Sequence, residues 1–129
     1  MVVAALVDAA GRVLIAERPA GKPLEGRWEF PGGKLAAGET REAALQRELQ
    51  EELGIEVRKA EFVMELVHVY PDREVELAFH VVTEFLGEPQ SLDGQALRWV
   101  PVDHLQREDI LEADLPFIET LQRRLGGAG

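Results

Sequence analysis

No cysteine occurs among the 129 residues, so neither a disulfide framework nor a thiolate metal site can form. There is no apolar run of membrane-spanning length and no charged-then-apolar leader, which points to a soluble cytoplasmic protein with no membrane partner. Basic residues are scarce: 14 Lys and Arg stand against 24 Asp and Glu, a net charge of −10. Backbone binding of nucleic acid needs clustered cations, so a nucleic-acid polymer is excluded as the main partner. Neither G-x-G-x-x-G nor G-x4-G-K-[ST] is present, which removes the standard phosphate-loop folds. Repeats and dividing linkers are missing too. With 46% hydrophobic content, residues 1–129 are expected to form one domain around one core. The apolar stretch Val2–Val7 starts at once, so a few native residues are expected before it.

What is abundant is carboxylate. An acid-rich chain suits an anionic ligand only if cations stand between them: carboxylates bind hard metal ions, and those ions bridge to phosphate oxygens. Most of the acids are expected to form an ordinary solvated surface.

Strand-like segments dominate. Val2–Val7 and Val13–Ala16 flank the turn-like Asp8-Ala9-Ala10-Gly11, and Trp28-Glu29-Phe30 is short and extended. Arg18–Arg27 reads as a loop. A helix is predicted from the N-cap Thr40, with Glu42 in its first turn, to a stop at Gly54. Ile55–Val57 and Glu61–Tyr70 read as separate β segments. Pro71-Asp72-Arg73 turns the chain into a strand in which Val75, Leu77, Phe79 and Val81 share a face. After a loop at Leu86–Gly94, Ala96–Val100 is a further strand. Pro116–Leu125 is a closing helix with Phe117, Leu121 and Leu125 at helical spacing, and Gly126–Gly129 is a frayed tail. The order predicts an α+β fold, a mixed β-sheet sandwiched between α-helices. His68, His80 and His104 form no ligand cluster; Trp28 and Trp99 read as core, with Trp28 close enough to the pocket to stay open, and Tyr70 is a minor candidate for lining the base site.

The central helix carries the chemistry. Glu48, Glu51 and Glu52 stand at i, i+3 and i+4, so at about 100° per residue they converge on one patch. Leu45, Leu49 and Leu53 form a second stripe, which lets the helix bury leucines while turning glutamates to a cleft. Like charges so close repel unless cations sit among them. The alternative is a solvated acidic face paired with Arg41 and Arg47, but the upstream glycine loop and Glu39 favour the metal patch. Arg47 is expected to bridge back to Glu39 and fix that loop. All-oxygen ligands select Mg²⁺, with Mn²⁺ as a substitute. Glu48 leads as the candidate for activating water, with the division of roles among the three glutamates left open.

Written as a pattern, residues 33–55 read G-x5-E-x7-R-E-U-x-E-E-x-G-U, where U is a bulky aliphatic, with every specified position filled. At average residue frequencies such a match arises by chance on the order of one in a billion per starting position. This segment is similar to the Nudix box, and the chain resembles a Nudix hydrolase. Outside the box the likeness narrows to the MutT type. Leu14-Ile15-Ala16-Glu17-Arg18, Trp28–Lys34, Tyr70–Arg73, Gly87-Glu88-Pro89, Asp93-Gly94-Gln95 and Trp99 carry it.

The resemblance implies a Nudix fold and hydrolysis of a nucleoside triphosphate to monophosphate and pyrophosphate, with oxidised purine nucleotides such as 8-oxo-dGTP as the expected substrates. It places Arg18 and Lys34 on the phosphates, the Gly32 carbonyl on a metal, and Phe30 at the base. Arg73 is placed at the nucleotide, and Asp93 where the family has a metal-binding acid, there usually Glu. Arg18 and Lys34 also read as surface charges, and Phe30 as core. Two departures stand out. A basic ring residue of the family is replaced by Pro23, beside Lys22. The family's base-reading asparagine corresponds to Asp114, in an Ala-Asp-x-Pro stretch that also resembles enzymes preferring CTP or modified dCTP. An oxidised-purine and a cytosine-type preference therefore both stay open, as do a monomer and a homodimer. A catalytically silent nucleotide-sensing domain is disfavoured because every box carboxylate is present.

Overall fold

The computed structural model describes residues 1–21 and 24–125. The Lys22-Pro23 departure and the tail at Gly126–Gly129 lie outside them. β1 (Val2–Leu6) is buried along its whole length, which explains its unbroken apolar sequence. It pairs in parallel with β6 (Arg73–Leu86), Val2 opposite Ala78 and Leu6 opposite Val82. On its other edge it pairs antiparallel with β4 (Gly32–Gly33), Val2 opposite Gly33. With β5 (Glu56–Tyr70) this gives a four-stranded mixed sheet of order β4-β1-β6-β5. A second, antiparallel sheet is ordered β3-β2-β7, from Trp28–Glu29, Arg12–Glu17 and Leu97–Pro101. The expected single mixed sheet is thus two sheets, both lying between helices.

α1 (Arg41–Leu53) begins and ends where its caps predict. Thr40 accepts from the Ala43 N–H at 3.1 Å, and Gly54 ends the helix in the left-handed conformation with φ 70°. Its leucines Leu45, Leu49 and Leu53 pack on Val2, Ala4 and Leu6. Alternate residues of β1, Val3 and Ala5, face the other way. There they meet Leu77, Phe79 and Val81 of β6 and Phe117, Ile118 and Leu121 of α2 (Leu115–Leu125). Two apolar layers on opposite faces of β1 therefore hold one helix each, and the period-2 alternation of a strand assigns residues to them. No helix among the described residues is long and apolar enough to cross a membrane.

Two expectations need correction, and one feature was unforeseen. Ile55–Val57 and Glu61–Tyr70 belong to one strand: Arg58-Lys59-Ala60 lacks β-formers, yet pairing with β6 carries the strand through with register shifts at Val57/Lys59, Lys59/Ala60 and Phe62/Met64. The same pairing extends β6 to Leu86, so the loop starts one residue later than expected. Two short 3₁₀ segments, Val102–Arg107 and Glu112–Asp114, went unpredicted because one turn shows no periodicity.

Candidate active site

β4 is two glycines for a steric reason. A Cβ on Gly32 would lie 2.0 Å from the Val2 carbonyl oxygen, so only glycine lets the backbone run this close to β1. A Cβ on Gly33 would lie 2.2 Å from the carboxyl carbon of Glu48, so the carboxylate of α1 rests directly on the glycine loop. Glu52, one helical turn on, takes a hydrogen bond from the Gly32 N–H. Its pKa is pushed up to about 8, first by burial, then by the negative charge of Glu48, Glu29 and Asp93.

Arg47 ties this corner together. Its Nε donates to Glu39 Oε2 at 2.8 Å, and its Nη2 to Glu39 Oε1 and the Lys34 carbonyl, both at 2.9 Å. Through Nη1 it reaches Glu48 at 3.0 Å and Glu51 at 3.3 Å. The predicted bridge from helix to loop is therefore present as a bidentate pair, and it holds the Glu39 carboxyl at about 2 together with the Ala36 N–H.

Glu48, Glu52, Gly32 and Gly33 open onto a cleft of about 470 Å³, within the range of small-ligand sites. Arg18, Phe30, Lys34, Arg73 and Asp114 line the same cleft. Phe30 packs edge-on against Phe117 at 5.3 Å between ring centroids and also lines the cleft. Asp114 is 5% exposed, and its Oδ2 accepts from the Phe30 N–H at 3.4 Å. Burial raises its pKa to about 7; that hydrogen bond opposes the rise and the charge of Glu29 adds to it. Arg18 Nη1 donates to Glu29 at 2.7 Å, whereas neither Lys34 nor Arg73 forms an ion pair among the described residues.

Glu51 and Asp93 are not brought onto the cleft lining. The Glu51 side chain is 60% exposed and leans to Arg47. Asp93 sits on the loop after β6, which is tied to the end of α1 by Leu92 N–H to the Glu52 carbonyl at 3.2 Å. Among the described residues no three His, Asp or Glu side chains are gathered as a metal would hold them. The donors nonetheless fit a hard divalent cation: the Glu48 and Glu52 carboxylates share the cleft with the glycine loop, Glu51 lies within a turn of both on α1, and none is a soft ligand.

A NUDIX domain model matches residues 1–121. The chain belongs to the Nudix hydrolase family. It is 38% identical over 118 residues to the CTP pyrophosphohydrolase of Escherichia coli, covering 92% of this chain and 87% of that one. With the 8-oxo-dGTP diphosphatase of the same organism it shares 38% identity over 111 residues, 86% of each chain. A MutT structure from work on Aliivibrio salmonicida and Vibrio cholerae superposes with a TM-score of 0.84 at 33% identity, covering 95% of both chains. Nudix hydrolases generally use a divalent metal, in keeping with the oxygen-donor cleft.

In this Nudix hydrolase the box spans the glycine loop, α1 and the first residue after its cap. Sequence reasoning passed over Glu29, which pairs with Arg18 and whose charge bears on both Glu52 and Asp114. It lies between two aromatic residues that drew the attention, and a lone acid in a short strand carries no periodic signal. Leu111 and Ala113 also line the cleft, from a segment whose 3₁₀ turn was not foreseen.

A pH test follows for the metal-free protein. Glu52 and Asp114 have folded pKa values above their unfolded ones, so the stability they contribute is full below about pH 4 and lost as pH rises through 7 to 8. Glu39 is lowered and has finished titrating by then; His80, lowered by burial, acts below 6.5, and the Met1 amine, lowered by burial, is one group working against two. With chelator present, the melting temperature should fall between pH 6.5 and 8.5, and Mg²⁺ should restore it most at the upper end. A melting temperature that rises across that window would contradict the electrostatics of this cleft.

Proposed function

We propose that the chain is a Mg²⁺-dependent nucleoside triphosphate pyrophosphohydrolase that releases nucleoside monophosphate and pyrophosphate, acting within one domain on oxidised purine deoxynucleotides such as 8-oxo-dGTP. The observation that carries this reading is a single cleft shared by Glu48, Glu52 and the cations Arg18, Lys34 and Arg73 in a chain of net charge −10. Cations concentrated in an acid-rich protein mark where a polyanion is held.

Arg18 and Lys34 take phosphate oxygens, and Arg73 meets the nucleotide from the turn between β5 and β6. Glu48, Glu51, Glu52, Asp93 and the Gly32 carbonyl would hold Mg²⁺ or, in its place, Mn²⁺. When bound, such ions neutralise phosphate charge and lower the pKa of a water. Glu48 accepts the proton of the attacking water, and the glycine loop keeps its carboxylate in place. Phe30 offers its ring and backbone to the base.

Asp114 decides the base. With its pKa at about 7, it is part protonated at neutral pH and then both donates and accepts, as asparagine would. A guanine-type base presents the O6 acceptor and needs the donor, whereas the cytosine amino group suits the ionised form. The second reading, a CTP or modified-dCTP enzyme, is favoured by that ionised form and by the CTP pyrophosphohydrolase relative.

The decisive assay measures pyrophosphate from 8-oxo-dGTP, dGTP, dCTP and CTP with Mg²⁺. Turnover of 8-oxo-dGTP no faster than dGTP would end the sanitising role and leave the hydrolase class standing. Asp114→Asn should shift the 8-oxo-dGTP to CTP ratio of kcat/KM about tenfold towards the purine and flatten its dependence on pH between 6 and 8. An unchanged ratio would remove Asp114 from base reading.

A further inference from the structure

At the tip of the β5–β6 hairpin Arg73 is grouped with two aromatic residues, Tyr70 and His68, to which the reaction described above gives no role. β5 and β6 run together to Tyr70 opposite Arg73, closed by only Pro71 and Asp72, so the tip is presented by two long paired strands. Tyr70 and Arg73 both line the cleft. The Arg73 guanidinium lies over the Tyr70 ring, 5.1 Å from its centroid, and the ring meets His68 edge-on at 4.6 Å with planes at 76°. Arg73 is flanked in sequence by Asp72 and Glu74, yet among the described residues it pairs with neither. An arginine paired with a carboxylate must lose that partner before it can take an anion. An arginine resting on an aromatic face gives up none of its charge or its hydrogen-bond donors.

We infer that Tyr70 is the positioning residue for Arg73: its ring, braced by His68, holds the guanidinium at the cleft and away from the neighbouring carboxylates, ready for the anionic nucleotide. This rests on the proposed contact between Arg73 and the nucleotide. The ring is what matters; the phenol hydroxyl has no part. A stack that only positions a binding group changes substrate affinity and leaves the chemical step alone.

The test is a double-mutant cycle with 8-oxo-dGTP and CTP as substrates and Mg²⁺ present, each variant checked by thermal melting. Tyr70→Leu should raise KM about three- to fivefold with kcat within twofold of the parent. Tyr70→Phe should keep the parent KM. Arg73→Gln should raise KM at least as much as Tyr70→Leu does, and adding Tyr70→Leu to it should change nothing further. Should Tyr70→Leu melt below the assay temperature, Tyr70→Met carries the same test.

Additive effects in the double variant, or a KM for Tyr70→Phe matching that of Tyr70→Leu, overturn the inference while leaving Arg73 at the nucleotide. An Arg73→Gln variant with unchanged KM overturns the nucleotide contact itself, and the role of Tyr70 with it.

Discussion

Glu52→Gln is expected to lower kcat/KM by on the order of 10²–10³ while making the metal-free protein harder to melt. Both effects come from one cause. Glu52 sits half-buried at the glycine loop beside Glu48, with Glu29 and Asp93 adding negative potential, and its carboxyl pKa rises to about 8. The folded protein alone therefore holds this charge at a cost, which bound cations remove. Glutamine is nearly the same shape and still accepts from the Gly32 N–H, so the fold loses nothing, yet it offers a poorer ligand to a hard cation. At pH 8.5 in chelator the variant should melt several degrees above the parent, and in Mg²⁺ that advantage should shrink or reverse. Steady-state kinetics and melting curves on the same preparation read both halves. A Glu51→Gln/Glu52→Gln variant with full turnover would defeat the assignment of these glutamates to metal binding.

The two glycines of β4 should fail in different ways, although they are neighbours. At Gly32 an added methyl meets the backbone of Val2, which cannot move without disturbing the pairing of β1 with both β4 and β6. Gly32→Ala should therefore cost about 3 kcal/mol or more of stability, within the range for overpacking against rigid neighbours. At Gly33 the methyl meets only the end of the Glu48 side chain, which can swing aside. Gly33→Ala should fold and melt near the parent, while its turnover falls about 10- to 100-fold because Glu48 no longer rests on the loop. Urea titration separates the first variant, and kinetics the second. Equal stability loss in both would show that Glu48 is as immobile as the backbone.

Local signals were legible where local physics decides. The limits of α1 followed from Thr40 and Gly54, because capping involves only residues within a turn of the helix end. The face shared by Val75, Leu77, Phe79 and Val81 followed from strand alternation and is packed as expected. The unbroken course of β5 was not legible, since Arg58-Lys59-Ala60 has no strand signal of its own and owes its conformation to β6. The 3₁₀ turn that carries Asp114 into the cleft was likewise invisible to periodicity.

For the cleft, the spacing of Glu39, Arg47, Glu48, Glu51 and Glu52 was enough to name the family and the helix that bears its carboxylates. Tertiary structure divided those acids: Glu48 and Glu52 face the cleft, and Glu51 turns to Arg47. It also brought in Glu29 as the partner of Arg18, and it buried Asp114 against the Phe30 N–H. The chain alone determined which groups are available, because helical spacing and capping are short-range. Which of them are buried, paired or crowded depends on contacts between distant segments. Those contacts move the pKa values of Glu52 and Asp114 into the neutral pH range.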